Sequence, residues 1–188
     1  MIDTILNYFQ GNGAITIGVV AFLSVYFILT VWIFVYKLLE LNSIIKQEQN
    51  ALEMLVHDHH STLNSLSSIG QCIGSSPINK DSLSVCEISL IREASSGLSW
   101  QSIIASTAPF IGLFGTVVGI LESFAKFATT TKVSFSVIAP VISEALVATA
   151  AGIFVAIFAY TFHQLLTRKV YILNTYIKSQ INIILSRR

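Results

Sequence analysis

Apolar and polar side chains are segregated along this chain. Three stretches lie between charged residues: Asp3 to Lys37, Glu93 to Glu122, and Lys132 to Arg168, with Glu144 the only charge inside the third. Hydrocarbon is a poor solvent for an ionised side chain, and a spanning helix needs roughly 20 mainly apolar residues. The pattern therefore predicts membrane segments over residues 15–36, 102–124 and 135–162. The first does not read as a signal peptide. No basic region precedes it, and its apolar core exceeds the roughly 7 to 15 residues of such a leader, so it is expected to stay as an anchor.

Between and after the spans the period changes to that of amphipathic helices. Leu41, Ile45, Leu52, Leu55, Leu66, Ile69 and Ile73 recur at helical spacings, interrupted at Glu48 and His59. Gly70, Gly74 and Pro77, with Ser75 and Ser76, predict a break, after which Asn79 or Asp81 caps a new helix. That helix is expected to run through Leu83, Ile88 and Ile91 into the second span. Beyond the third span Leu166, Val170, Leu173, Ile177, Ile181 and Ile184 extend the last helix almost to the C-terminus. The segment 37–101 has too few apolar residues to close a core alone. It reads as helical extensions of one domain, residues 1–188, with a tail over 163–188.

Composition sharpens the class. Hydrophobic residues make up 53% and charged residues 11%, with a mean hydropathy of +0.72, which places the chain in membrane lipid. Eleven basic and ten acidic side chains leave a net charge of +1, without the basic excess that nucleic-acid binding requires. The tail carries Arg168, Lys169, Lys178, Arg187 and Arg188 and no acid, whereas only Asp3 precedes the first span. Basic flanks stay cytoplasmic, so the C-terminus and residues 37–101 are expected inside and the N-terminus outside. Trp32, Tyr36, Trp100, Tyr160 and Phe162 fall at the inner ends of the spans, where amphipathic rings prefer the interface. Cys72 and Cys86 lack CxxC or zinc spacing and lie in the segment expected to face the cytosol, so both are read as free thiols. The expected fold is an all-α membrane protein, three transmembrane helices with long cytoplasmic helical extensions in an oligomeric bundle.

Candidate chemistry narrows to one region. His57, Asp58, His59 and His60 are consecutive, so they point around a helix and read as a solvated face rather than a metal site. His163, beside Arg168, reads as an interfacial anchor. No phosphate loop, nucleophile elbow or acid–base pair occurs, so neither an enzyme nor a cofactor is expected. Glu144 stands out, because a carboxylate within a span costs about 2.5 to 3.5 kcal/mol unless it is neutralised, paired or hydrated, and such acids usually mark ion or proton paths. Folding the chain back at Thr129 brings Thr116, Glu144 and Thr149 within about 11 Å along the membrane normal, at 1.5 Å per residue. Gly112, Gly115, Thr116 and Gly119 share one face of the second span, and Ala145, Ala148, Gly152, Ala156 and Ala159 one face of the third. Small residues permit close helix packing. That packing belongs either to the hairpin itself or to an oligomer, and one chain has too few spans to shield Glu144 from lipid alone.

Residues 108–120, APFIGLFGTVVGI, and 138–152, IAPVISEALVATAAG, resemble the signature hairpin of the ExbB/TolQ family, relatives of the flagellar MotA stators. The resemblance covers about a third of the chain closely and extends to its whole layout. It implies a homopentamer in the inner membrane of Gram-negative bacteria, around a single-span ExbD/TolR-type partner whose membrane aspartate carries protons. It further implies a proton-channel and motor-stator function that energises a TonB-like or TolA-like protein. The family's third-span glutamate matches Glu144, and its pore-facing threonines match Thr116 and Thr149. Valine at 118, Val141 after Pro140, and Phe158 where proline is common depart from the pattern, leaving the polar track intact but the ExbB or TolQ branch open. The other readings of the same residues are a structural membrane scaffold without ion flux and a self-contained cation channel lined by Glu144.

Overall fold

The computed structural model describes residues 14–57, 67–74, 79–127 and 135–187, and every regular element among them is helical. The helices are α1 (Ala14–His57), α2 (Ser68–Ile73), α3 (Lys80–Ala94), α4 (Leu98–Phe127) and α5 (Phe135–Ser186). Among the described residues, α1, α4 and α5 are the three helices long and apolar enough to cross a membrane. The chain is an all-α membrane protein. It divides into two compact units, one of Met1–Trp32 with Trp100–Phe162, the other of Ile33–Ser99 with His163–Arg188.

The first unit is held by a modest apolar core of Leu23, Ile104, Ala108, Val155 and Ala159. Phe27 packs its ring against Phe154 at 5.6 Å and edge-on to Phe158 at 5.5 Å. Phe110, Leu113, Phe114, Leu121, Ile153 and Ile157 point outward and exposed. Such a surface would drive association in water, and it costs nothing against lipid tails. Gln101, fully buried, donates from Nε2 to the Thr30 carbonyl at 2.8 Å and so ties α4 to α1.

The second unit has a core of larger aliphatic side chains. Leu41, Ile69, Ile73, Leu83 and Leu98 pack with Leu166, Val170, Leu173, Ile177 and Ile181. The segment before the second span thus closes its core by recruiting the C-terminal part of α5, whose apolar repeat is buried as its periodicity requires. His163 sets Nδ1 3.2 Å from the Leu98 carbonyl. Asn79 is the N-cap of α3, its backbone N–H donating to Ser82 Oγ at 2.9 Å.

Four expectations are corrected here. Glu48 does not interrupt the α1 stripe; it is fully buried in it, between Leu41 and Leu55, which lie seven residues before and after. Helix α3 does not continue into the second span. It stops at Ala94, because Ser95 turns its hydroxyl back onto the Ile91 carbonyl at 2.7 Å and Gly97 takes φ +84°, which L side chains resist. Cys72 and Cys86 are not free; they form a disulfide, with Cα atoms 5.9 Å apart and 14 positions apart in sequence. Pairing depends on α2 packing beside α3, which CxxC spacing does not report. Gly70, read as part of the break, lies inside α2, which ends at Gly74 with φ +51°. Leu66 and the cluster Asp58, His59 and His60, like the His57 side chain, lie outside the described residues.

Candidate functional site

The candidate site belongs to the first unit and rests on how closely α4 and α5 approach. A Cβ placed on Gly112 would lie 2.6 Å from the Ala148 carbonyl oxygen, and one on Gly152 would lie 2.5 Å from that of Ala108. The two backbones are therefore in direct contact at these glycines. Ala145 and Ala148 are buried on the facing side of α5. Gly115 faces both Ala148 and Val19 of α1, with a hypothetical Cβ 2.8 Å from Val19 Cγ1, and Gly119 faces Thr16 Oγ1 at 3.0 Å. The small-residue faces are thus spent inside one chain, in the α4–α5 hairpin and against α1. They carry no argument for oligomerisation.

Close approach brings two of the three predicted polar residues together. Thr116, 7% exposed, hydrogen-bonds Thr149, hydroxyl to hydroxyl. Thr116 Oγ1 also lies 3.0 Å from the Ala145 carbonyl oxygen, and Thr149 Oγ1 lies 3.3 Å from that of Gly112. Each hydroxyl has one proton to give. The geometry allows either direction across the pair. In one, Thr116 donates to the Ala145 carbonyl, or to that of Gly112 at 3.3 Å, and Thr149 donates to Thr116; in the other, Thr149 donates to Gly112 and Thr116 to Thr149. The pair can reverse its direction without moving a heavy atom.

Glu144 is half-buried on α5, immediately before the Ala145 whose carbonyl Thr116 meets. It lies five residues from Thr149, about 7.5 Å along the axis at 1.5 Å per residue. Among the described residues no group of three or more His, Cys, Asp or Glu side chains converges in a way that could hold a metal.

The sequence reading missed a second polar centre, in the other unit. Glu48 Oε1 accepts from the Ser68 backbone N–H at 2.7 Å and from the Ser68 hydroxyl, while Oε2 accepts from Gln180 Nε2 at 2.8 Å. Gln180 Nε2 also lies 3.1 Å from the Glu48 carbonyl oxygen. Both side chains are fully buried. The signal was present: each occupies a helical stripe position that aliphatic residues fill elsewhere, a pattern that marks a paired polar group inside rather than a gap in the stripe.

The model of the MotA/TolQ/ExbB proton channel family matches residues 80–179. The putative biopolymer transport protein ExbB-like 1 of Helicobacter pylori is 39% identical over the full length of both chains. Similarity to the biopolymer transport protein ExbB of Pseudomonas putida is 47% over 42% of this chain and 24% of that protein. The Tol-Pal system protein TolQ of Pseudomonas aeruginosa is 48% identical over 32% of this chain and 26% of that protein.

Proposed function

We propose, for a chain that belongs to the MotA/TolQ/ExbB proton channel family, the role of stator subunit in a proton-driven motor of the bacterial inner membrane. In this reading the N-terminus is periplasmic, and the C-terminus and the second unit are cytoplasmic, in keeping with the basic tail. The subunits form a homo-oligomer, a pentamer by family likeness, around an ExbD/TolR-type single-span partner. Proton passage moves that partner and so energises an envelope-spanning protein. The full-length likeness to a protein named ExbB-like favours the ExbB-type role, in TonB-dependent uptake, over the TolQ-type role with a TolA-like protein.

The observation that carries the reading is the reversible hydroxyl pair of Thr116 and Thr149, with Glu144 about a turn and a half along the same helix. A hydroxyl pair that can switch donor direction is suited to relaying a proton, and a carboxylate in a span is suited to receiving one. A membrane potential supplies about 2.3 kcal/mol per charge per 100 mV, several times RT, so one proton per step suffices for a directional conformational change.

Glu144→Gln keeps volume and hydrogen bonding but cannot ionise. It should assemble with its partner and lose proton-motive-force-dependent uptake, and Glu144→Asp should retain part of it, in variants matched for membrane abundance. Full activity of the Gln variant removes ionisation of Glu144 from the mechanism. Co-purification separates the other classes. A stator retains a small single-span partner with a membrane aspartate, whereas a scaffold or a self-contained cation channel needs none.

A further inference from the structure

Helix α2 is six residues long, too short to persist on its own. It is fixed to its surroundings at both ends. At its start the Ser68 N–H and hydroxyl reach Glu48 of α1, which in turn is bound by Gln180 of α5. Near its end Cys72 is joined to Cys86 of α3. Ile69, between these anchors, and Ile73, next to the second, are buried in the core of the second unit. The covalent anchor is asymmetric in access: Cys86 is buried, whereas Cys72 is exposed and lines a cavity of about 490 Å³ bordered by Glu40, Gln47, Gln71 and Glu93.

A disulfide that faces the cytosol meets a reducing thiol pool. We propose that Cys72 and Cys86 form a reversible redox clamp: oxidised, it holds α2 on α3 and keeps Ser68 on Glu48; reduced, it releases α2 from the bundle. The proposal rests on the orientation given above, because on the periplasmic side the same bond would be a permanent staple.

The chemistry is thiol–disulfide exchange with a low-molecular-weight thiol. Its thiolate enters through the cavity and attacks the accessible Cys72 sulfur. A mixed disulfide forms at Cys72, and Cys86 leaves as a thiolate that takes up a proton. A second thiol attacks the reductant's own sulfur in that mixed disulfide, which frees Cys72 as a thiol and leaves the oxidised reductant. Two electrons pass to the protein and two thiols are oxidised. A low-molecular-weight disulfide reverses the sequence. Because the bond closes a loop of 14 positions, its removal returns that loop's freedom to the opened state of α2, against which the Ser68–Glu48 contact still acts.

The test uses the full chain in mild detergent. Amide hydrogen exchange at Gly70, Gln71 and Gly74, which donate to Ser67 Oγ, Ser67 O and Gly70 O, reports the opening of α2. Dithiothreitol should accelerate that exchange about tenfold while α4 amides stay unchanged, and Cys72→Ser with Cys86→Ser should exchange at the fast rate with or without reductant. In glutathione buffers, alkylation and mass measurement should show the pair passing between disulfide and dithiol. Exchange that ignores dithiothreitol overturns the clamp. So does a pair that stays reduced in oxidised glutathione or stays oxidised in excess dithiothreitol. Orientation is read separately: in reductant-treated cells a membrane-impermeant maleimide should label the cysteines only after the inner membrane is opened. Labelling before that step overturns the orientation itself.

Discussion

Replacement of glycine by alanine adds the same methyl group everywhere, yet its effect should change sign along this chain. At Gly112 the new Cβ would sit 2.6 Å from the Ala148 carbonyl oxygen and 3.1 Å from the Gly152 and Thr149 Cα atoms. These are backbone atoms, and no rotamer change moves them. A carbon–oxygen contact relaxes at about 3.3 Å, so α4 and α5 must separate by roughly 0.7 Å. The same displacement would take the Thr116 hydroxyl, now 3.0 Å from the Ala145 oxygen, out to about 3.7 Å, beyond hydrogen-bonding range. Overpacking of this kind costs about 1 to 3 kcal/mol. Gly152, with the Ala108 oxygen 2.5 Å from its hypothetical Cβ, should behave alike. Gly115 meets Val19 Cγ1 at 2.8 Å, Ala148 Cβ at 3.1 Å and Val19 Cβ at 3.2 Å. A helical valine has little rotamer freedom, so alanine at Gly115 should also be costly. Gly119 meets a threonine hydroxyl at 3.0 Å and should cost less. Gly18, inside α1, has no neighbour within 4 Å of that position among the described residues. There alanine only improves helix propensity, by up to about 1 kcal/mol.

Thermal unfolding in detergent, followed by loss of monodisperse elution, converts each kcal/mol into about 2 to 4 °C for a chain of this size. Gly112→Ala and Gly152→Ala should fall by about 2 to 12 °C, Gly119→Ala by less, and Gly18→Ala should hold or rise. Equal losses at Gly112 and Gly119, or a loss at Gly18 as large as at Gly152, would refute the claim that backbone contact between α4 and α5 fixes the hairpin.

Thr116→Val and Thr149→Val preserve shape and remove the hydroxyl, so each should reduce partner-dependent uptake more than assembly; normal uptake in both single variants and the double variant would leave the pair as helix packing. Native mass spectrometry in mild detergent should show a homo-oligomer, a pentamer by family likeness, and a functional monomer would exclude it. Because Gly115 and Ala148 face neighbours within the chain, leucine at either should lower the unfolding temperature before it changes subunit number; a wild-type melting point with fewer subunits would place that face between chains.

The long helices were legible because each solves a one-dimensional problem. Charge-free stretches set the spans, and the spacing from Leu166 to Ile184 alone carries α5 to Ser186. The hairpin's small residues were equally visible, since Gly112, Gly115 and Gly119 recur on one face. Which surface they would meet was not, for a stripe of small residues suits a neighbour in the same chain or in another. Ser95, Ser96 and Gly97 carry a turn signal that the sequence reading did not use, and Gly97 takes φ +84° there. Cys72 and Cys86 were misread for a different reason: compartment was allowed to decide a question of three-dimensional distance, and no spacing rule encodes how α2 packs on α3.

Glu48 and Glu144 are both acids among apolar neighbours, and what distinguishes them is burial: Glu48 is fully enclosed, whereas Glu144 is half-buried on a span. Three hydrogen bonds from Ser68 and Gln180 converge on Glu48, all from groups fixed by their own helices. A carboxylate bonded in this way ties α2 and the C-terminal part of α5 to α1. Glu48 is therefore a fastener. Glu48→Gln must point its new amide at one of those donors, at a cost of about 1.5 to 3 kcal/mol for charge-assisted bonds lost, and the exchange of α2 amides should rise first. Glu144 sits at a half-buried position of a span, where a second chain can approach it and a change of charge can be used. The two Gln variants should then dissociate: Glu48→Gln lowers stability while surviving molecules keep their proton-motive-force dependence, and Glu144→Gln keeps stability and loses that dependence. Melting temperature and driven uptake, measured on both, decide between this assignment and its inverse. If Glu48→Gln abolished uptake at wild-type stability, burial with saturated acceptors would not distinguish a structural acid from a working one in this chain.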